Sequence, residues 1–121
     1  PVGRELYVHQ TQQQMTTPQS FQQLPDREVV PGFTGRFLHG EKHTLGYWEA
    51  KAGSTLPVHR HEHEQISYVL SGTLEMELDG VKHTLRTHDV LLIPSNVPHG
   101  GYAVTDCQLI DSFSPVREDY K

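Results

Sequence analysis

The chain is nearly without cysteine, has no long apolar run and carries no excess of positive charge, and each shortage excludes something. Cys107 is the single cysteine in 121 residues, so no intrachain disulfide can form, and a reducing compartment such as the cytoplasm is the expected location. No apolar stretch approaches the roughly 18 residues that span a bilayer, and no secretory leader pattern is visible. Ten Lys and Arg stand against fifteen Asp and Glu, giving a net charge of −5 and a pI near 6.0. Such a chain has no electrostatic reason to seek nucleic acid or an anionic membrane, and neither partner is expected. Helical periodicity is also missing. No window supports a helix of three turns or more, apart from weak stretches near the termini.

What remains points to one small β domain. Hydrophobic residues make up only 35% of the chain, but they fall in short, well-spaced runs punctuated by eight prolines and ten glycines. Residues 1–25 are polar and glutamine-rich and read as an arm. Residues 26–121 read as the folded domain. From Val29 onward strand follows strand: Phe33–Leu38, Leu45–Ala50, Thr55–His61, Ile66–Leu70, Thr73–Leu78, Val81–Thr87, Asp89–Ile93, His99–Val104 and Gln108–Ser114. Leu74, Met76 and Leu78 alternate with Thr73, Glu75 and Glu77 at a period of two, and Asp79-Gly80 marks a hairpin turn. Short strands at this spacing indicate an antiparallel barrel or jelly roll, and the absence of an internal repeat means one barrel.

Nine histidines are present, and their spacing matters more than their number. The segment from Gly53 runs through His59-Arg-His61-Glu-His63-Glu-Gln65 to Gly72, and a second runs from Asp89 through Pro94-Ser-Asn96-Val-Pro98 to His99. Together they resemble the two motifs of the cupins, which implies an all-β, RmlC-like jelly-roll barrel. Asn96 takes a glycine position of the second motif, as suits a residue that tolerates a left-handed backbone. Residues two apart on a strand share a face, so His59 and His61 are expected to enter the barrel together. Gln65 would join them across a short turn, and His99 from a strand remote in sequence. The rival oxygen donor, Glu64, has the opposite parity and should face away. Three imidazoles and an amide oxygen suit one divalent metal ion: Ni, Zn, Fe, Mn or Co. His63 is expected at the rim. His9, His39, His43, His83 and His88 are expected on the surface or in loops, His88 at a turn.

A second cluster follows at the C-terminal end. Leu109, Asp111 and Phe113 share one face of a strand, and a carboxylate between two apolar residues is costly to bury without a partner or a task. Arg117 follows Pro115 and can fold back toward the barrel mouth. Two alternatives are open on physical grounds: an Asp111–Arg117 salt bridge that pins the terminus, or a wall of a site for a small anionic ligand. The segments His63-Glu-Gln-Ile-Ser-Tyr-Val-Leu-Ser-Gly72, Pro94 to His99 and Asp111 to Tyr120 resemble the small cupins of pectin and alginate breakdown, over about residues 33–120. Those enzymes linearise 4,5-unsaturated monouronates into open-chain keto acids. The resemblance implies metal ligation by His59, His61, Gln65 and His99. It also implies catalytic roles for Asp111 and Arg117, with Phe113 and Arg117 at the substrate, a sugar acid. The other expectations to be weighed are an Fe(II) cupin dioxygenase, for which the neutral Gln65 is less suited than a carboxylate, and a non-enzymatic ligand-binding or sensor cupin. If Gln65, Ser67 and Val69 face inward, then Ile66, Tyr68 and Leu70 form an outer apolar stripe. A homodimer partner is the expected cover.

Overall fold

The computed structural model describes residues 17–121. Ten strands are found there: β1 (Asp26–Val30), β2 (Phe33–His39), β3 (Thr44–Ala50), β4 (Thr55–His59), β5 (Glu64–Ser71), β6 (Leu74–Leu78), β7 (Val81–Leu85), β8 (Val90–Ile93), β9 (His99–Ala103) and β10 (Cys107–Ser114). They form two antiparallel sheets, one ordered β1-β2-β3-β10-β5-β8 and the other β4-β9-β6-β7. This is the jelly-roll barrel that the strand pattern predicts. Glutamine-rich residues 1–16, including His9, lie outside the described residues. Among the described residues, two short 3₁₀ turns, Phe21–Gln23 and Glu118–Tyr120, represent the weak helical stretches near the ends.

Strand alternation places the core. Along β10, Cys107, Leu109, Asp111 and Phe113 are buried while Gln108 and Ser114 are exposed; along β5, Gln65, Ser67 and Val69 are buried while Glu64, Ile66 and Leu70 are exposed. The inward rows lie opposite one another, Leu109 beside Trp48 and Val69, Asp111 beside Gly46 and Ser67, and Phe113 beside Thr44 and Gln65. A gradient results along the barrel. Trp48, Val69, Leu74, Met76, Ala103 and Leu109 make an apolar core, and the polar inward residues gather toward one mouth. Each fully buried aliphatic side chain in that core contributes about 1.5–3 kcal/mol.

The turns obey local chemistry. Asp79 and Gly80 both have positive φ (50° and 81°), the backbone of a tight turn joining β6 to β7. Asn96 sits at φ 64° and His88 at φ 75°, so both occupy the turn positions expected of them. Gly72, the glycine that closes the first motif, has φ +90°, and a Cβ there would lie 2.2 Å from the carbonyl oxygen of Asp106. Only glycine fits this crossing of chains.

Several expectations need correcting. β4 ends at His59, so His61 lies beyond the strand, and a strand's two-residue period is not what brings the two rings together. β1 was missed, because its residues are largely exposed and show no alternation. His39 is not a loose surface residue. It lies half-buried in β2, its Nδ1 2.9 Å from Thr44 Oγ1 and its Nε2 3.3 Å from the Tyr120 carbonyl. His83 likewise lies within β7, half-buried.

Candidate metal centre

Both sheets supply the site. His59 ends β4 and His99 opens β9, directly opposite one another in the register of the smaller sheet. Gln65 comes from β5 of the larger sheet, and His61 from the turn between β4 and β5. The ring centroids of His59, His61 and His99 stand 4.4–5.6 Å apart. A nitrogen from each lies within 4.8 Å of the others, so these three residues could hold a metal ion.

The backbone fixes which nitrogen each ring presents. Nδ1 of His59 donates to the Pro57 carbonyl at 2.8 Å, Nδ1 of His61 to the His63 carbonyl at 2.9 Å, and Nδ1 of His99 to the Val97 carbonyl at 2.9 Å. A carbonyl only accepts, so every Nδ1 carries the proton and every Nε2 keeps its lone pair. Nε2 of His99 is buried and has no hydrogen-bond partner. A buried nitrogen left in that state needs an explanation, and a coordinated ion supplies one. Burial, followed by the charges of Arg117 and His99, lowers the His61 pKa to about 4. His99 is lowered too, chiefly by burial. Neutral imidazole is the form a metal requires. The donor set therefore fits a borderline divalent ion.

Gln65 is 5% exposed and its neighbour Glu64 is exposed, as their parity predicts. The Gln65 amide oxygen lies 3.1 Å from His61 Nε2, while the amide nitrogen donates to Ser67 Oγ at 3.0 Å. That second bond orients the amide, turning its oxygen toward the histidines.

Asp111 lies behind this cluster. Burial pushes its pKa up to about 6, against the opposing pull of Ser67 and Gln65 and, more weakly, of Arg117 and Trp48. Of the two alternatives left open for Asp111 and Arg117, the salt bridge between them is not formed. Arg117 instead gives Nε and Nη2 to the two carboxylate oxygens of Asp119, at 3.0 and 2.8 Å. Its guanidinium packs against the rings of Phe113 (4.7 Å) and Tyr120 (4.0 Å), which stand at 75° to one another. The fold-back after Pro115 is as expected, and it is held by the Arg117 amide donating to Thr44 Oγ1 at 2.9 Å. One cavity is lined by His59, Gln65, Asp111, Phe113 and Arg117, joined by Trp48 and Tyr120. Those last two, and the pairing role of Asp119, were missed. No periodic signal marks them, because they approach from the tail and from β3. His63 stands at the edge of the cluster, its ring 5.4 Å from that of His61.

A jelly-roll barrel with three convergent histidines inside one mouth defines a cupin, and the chain belongs to that family: the cupin domain matches residues 46–113. Among solved structures it is similar to an RmlC-like cupin from Shewanella frigidimarina NCIMB 400, with a TM-score of 0.80 and 31% identity over 85% of this chain and 94% of that one. It is also similar to KdgF from Halomonas sp., with a TM-score of 0.76 and 33% identity over 80% of this chain and 93% of that one. In sequence it is 39% identical over 64 residues to the pectin degradation protein KdgF of Dickeya dadantii (strain 3937), a stretch covering 51% of this chain and 58% of that protein. The matched stretch thus spans little more than half of that relative. Among the described residues no helix is long and apolar enough to cross a membrane.

Proposed function

We propose that the protein is a metal-dependent enzyme that linearises a 4,5-unsaturated monouronate, a sugar acid of pectin or alginate breakdown, to its open-chain keto form. The observation that carries this reading is a cluster of three lone-pair histidine nitrogens, of which His59 lines the same cavity as Gln65, a buried carboxyl with a raised pKa and a buried guanidinium. The similarity to the two KdgF proteins, one of them named for pectin degradation, supports the choice of substrate.

His59, His61 and His99, with the Gln65 amide oxygen, would hold one divalent ion; Ni, Zn, Fe, Mn and Co all suit the set. Bound there, the ion supplies Lewis acidity toward the oxygens of the sugar acid. Gln65 brings no charge, so nothing in the ligand set weakens that acidity. Arg117 binds the substrate carboxylate, and Phe113 packs on the ring. Asp111 moves the proton. Loss of the C1 hydroxyl proton breaks the bond from C1 to the ring oxygen, leaving an aldehyde at C1 and an enolate at C5, and the same proton delivered to C4 turns the enolate into the ketone. No atom is gained or lost, and Asp111 ends as it began. A carboxyl with a pKa near neutrality both takes and gives protons readily.

The test follows the ultraviolet absorbance of an unsaturated monouronate mixed with metal-loaded protein, against its spontaneous decay. Faster loss that Asp111→Asn abolishes is the expected result. An unchanged rate with metal bound would refute the reading, and oxygen uptake with Fe(II) would then favour the oxidative alternative.

We also propose a cytoplasmic homodimer, with residues 26–121 as its barrel domain and 1–25 as an arm. Ile66 and Leu92, and Tyr68 and Val90, are cross-strand neighbours on the outside of β5 and β8. Val90 is 63% exposed and Leu92 52%. Apolar rows of this kind on a sheet face are usually covered by a partner.

A further inference from the structure

Arg117 enters the cavity with its charge already engaged. Asp119 takes Nε and Nη2 together, a two-point pairing at 3.0 and 2.8 Å that fixes the guanidinium within its own plane. The rings of Phe113 and Tyr120, at 4.7 and 4.0 Å, pack against it from two sides at a steep angle and limit its movement. A guanidinium has five N–H donors, so those not used by Asp119 lie on Nη1 and on the second hydrogen of Nη2. These form a second edge that can also grip a carboxylate with two bonds. Asp119 is itself anchored, because its backbone carbonyl accepts from Arg27 Nη1 at 2.9 Å, tying the terminal turn to β1.

We propose that Asp119 is a positioning residue: it holds Arg117 by one edge so that the Nη1–Nη2 edge is the one offered to a substrate carboxylate in the cavity. The inference rests on the sugar-acid reading and deepens it by assigning how the carboxylate is selected. Two effects of Asp119 oppose each other. Its charge lowers the attraction of the site for an anion, whereas its grip orients the donors. The Asp119 side chain is 59% exposed while that of Arg117 is 7% exposed, so solvent screens the repulsion and the orienting effect prevails. Charge balance agrees. With a divalent ion bound, the ion and Arg117 bring three positive charges, Asp111 and Asp119 return two negative ones, and one carboxylate completes neutrality.

The test uses the 121-residue chain loaded with diamagnetic Zn and its variants Asp119→Asn and Asp119→Glu. The Arg117 Nε–H resonance in the nitrogen-15 spectrum reports the grip without any turnover. It should be sharp and slowly exchanging in the parent and in Asp119→Glu, and lost in Asp119→Asn. Calorimetric affinity for galacturonate, with galactose as the uncharged control, should fall roughly tenfold in Asp119→Asn. KM for the unsaturated monouronate should rise by the same factor with kcat within about twofold. Tighter galacturonate binding by Asp119→Asn would overturn the proposal by making Asp119 a competitor for the guanidinium. An unchanged resonance and affinity would overturn it as well. A parent that binds galacturonate but does not accelerate decay of the unsaturated sugar defeats the catalytic reading alone, leaving the Asp119 grip and its carboxylate selection supported.

Discussion

Replacing Asp111 by asparagine is expected to abolish turnover and yet to strengthen the metal-free fold above neutral pH. The carboxyl has a pKa of about 6 in the folded protein against an ordinary 3.8. At about 1.4 kcal/mol per pH unit, ionised Asp111 costs the fold about 3 kcal/mol at pH 8. The sign follows from proton binding. Between pH 3.8 and 6 the folded state holds the proton more firmly than the unfolded chain, so this group's contribution to stability falls as pH rises through that window. It is constant below about 3, where both states are protonated, and the loss is complete above about 7. Asparagine removes the charge while keeping the size. Its advantage over the parent should therefore grow by about 2 kcal/mol from pH 4.5 to pH 8, on top of any constant difference in how the amide meets Ser67 and Gln65. His61 works the other way, since its lowered pKa makes stability fall as pH drops from 6.5 toward 4. That effect is common to both proteins and cancels in the comparison. Urea unfolding of both proteins in EDTA, at pH values from 4.5 to 8, measures the difference directly. A difference that does not change with pH, or one that shrinks as pH rises, would refute the account of Asp111 as a desolvated carboxyl.

Three further predictions concern the metal, the turn and the outer face. Adding Ni or Zn at a hundredfold excess over its dissociation constant should raise unfolding stability by about 2.7 kcal/mol, and His99→Ala should remove most of that gain in a thermal-shift assay. Gly72→Ala should lower stability by about 2–4 kcal/mol in denaturant, from positive φ and a backbone clash together; a loss below about 0.5 kcal/mol would show that the crossing can relax. Leu92→Lys should convert a dimer into a monomer in sedimentation velocity without changing the metal-bound absorption spectrum, and a parent protein that sediments as a monomer would remove the dimer proposal.

The parts of this molecule that were legible in the sequence are those governed by neighbours along the chain. Parity alone separated Gln65 from Glu64 and set Leu109, Asp111 and Phe113 on the inner face, because a strand's side chains alternate whatever they meet. Asp79-Gly80, Asn96 and His88 were readable because a left-handed backbone admits few residue types. Relationships settled only by three-dimensional packing were not readable. His61 reaches the cluster from a turn, so strand periodicity gave a correct neighbour for an incorrect reason. Arg117 had two carboxylates within reach in sequence, and the choice of Asp119 over Asp111 depends on the path of the tail past Thr44 and Tyr120. His39 looked like surface because nothing nearby in sequence tells that Tyr120 folds over it.

The division of the cluster between the two sheets has a mechanical consequence. His59 and His99 belong to one sheet and Gln65 to the other, with the turn at His61 between them. An ion held by all four would add a direct tie between two layers that are joined at that mouth by the β4–β5 and β8–β9 connections and by the bond from the Asn96 amide to the His61 carbonyl. Opening of the sandwich would then require ligand release first, so amides of β5 and β9 should slow their hydrogen exchange together on loading, while those of β1 and β7, at the outer edges, keep their own pace.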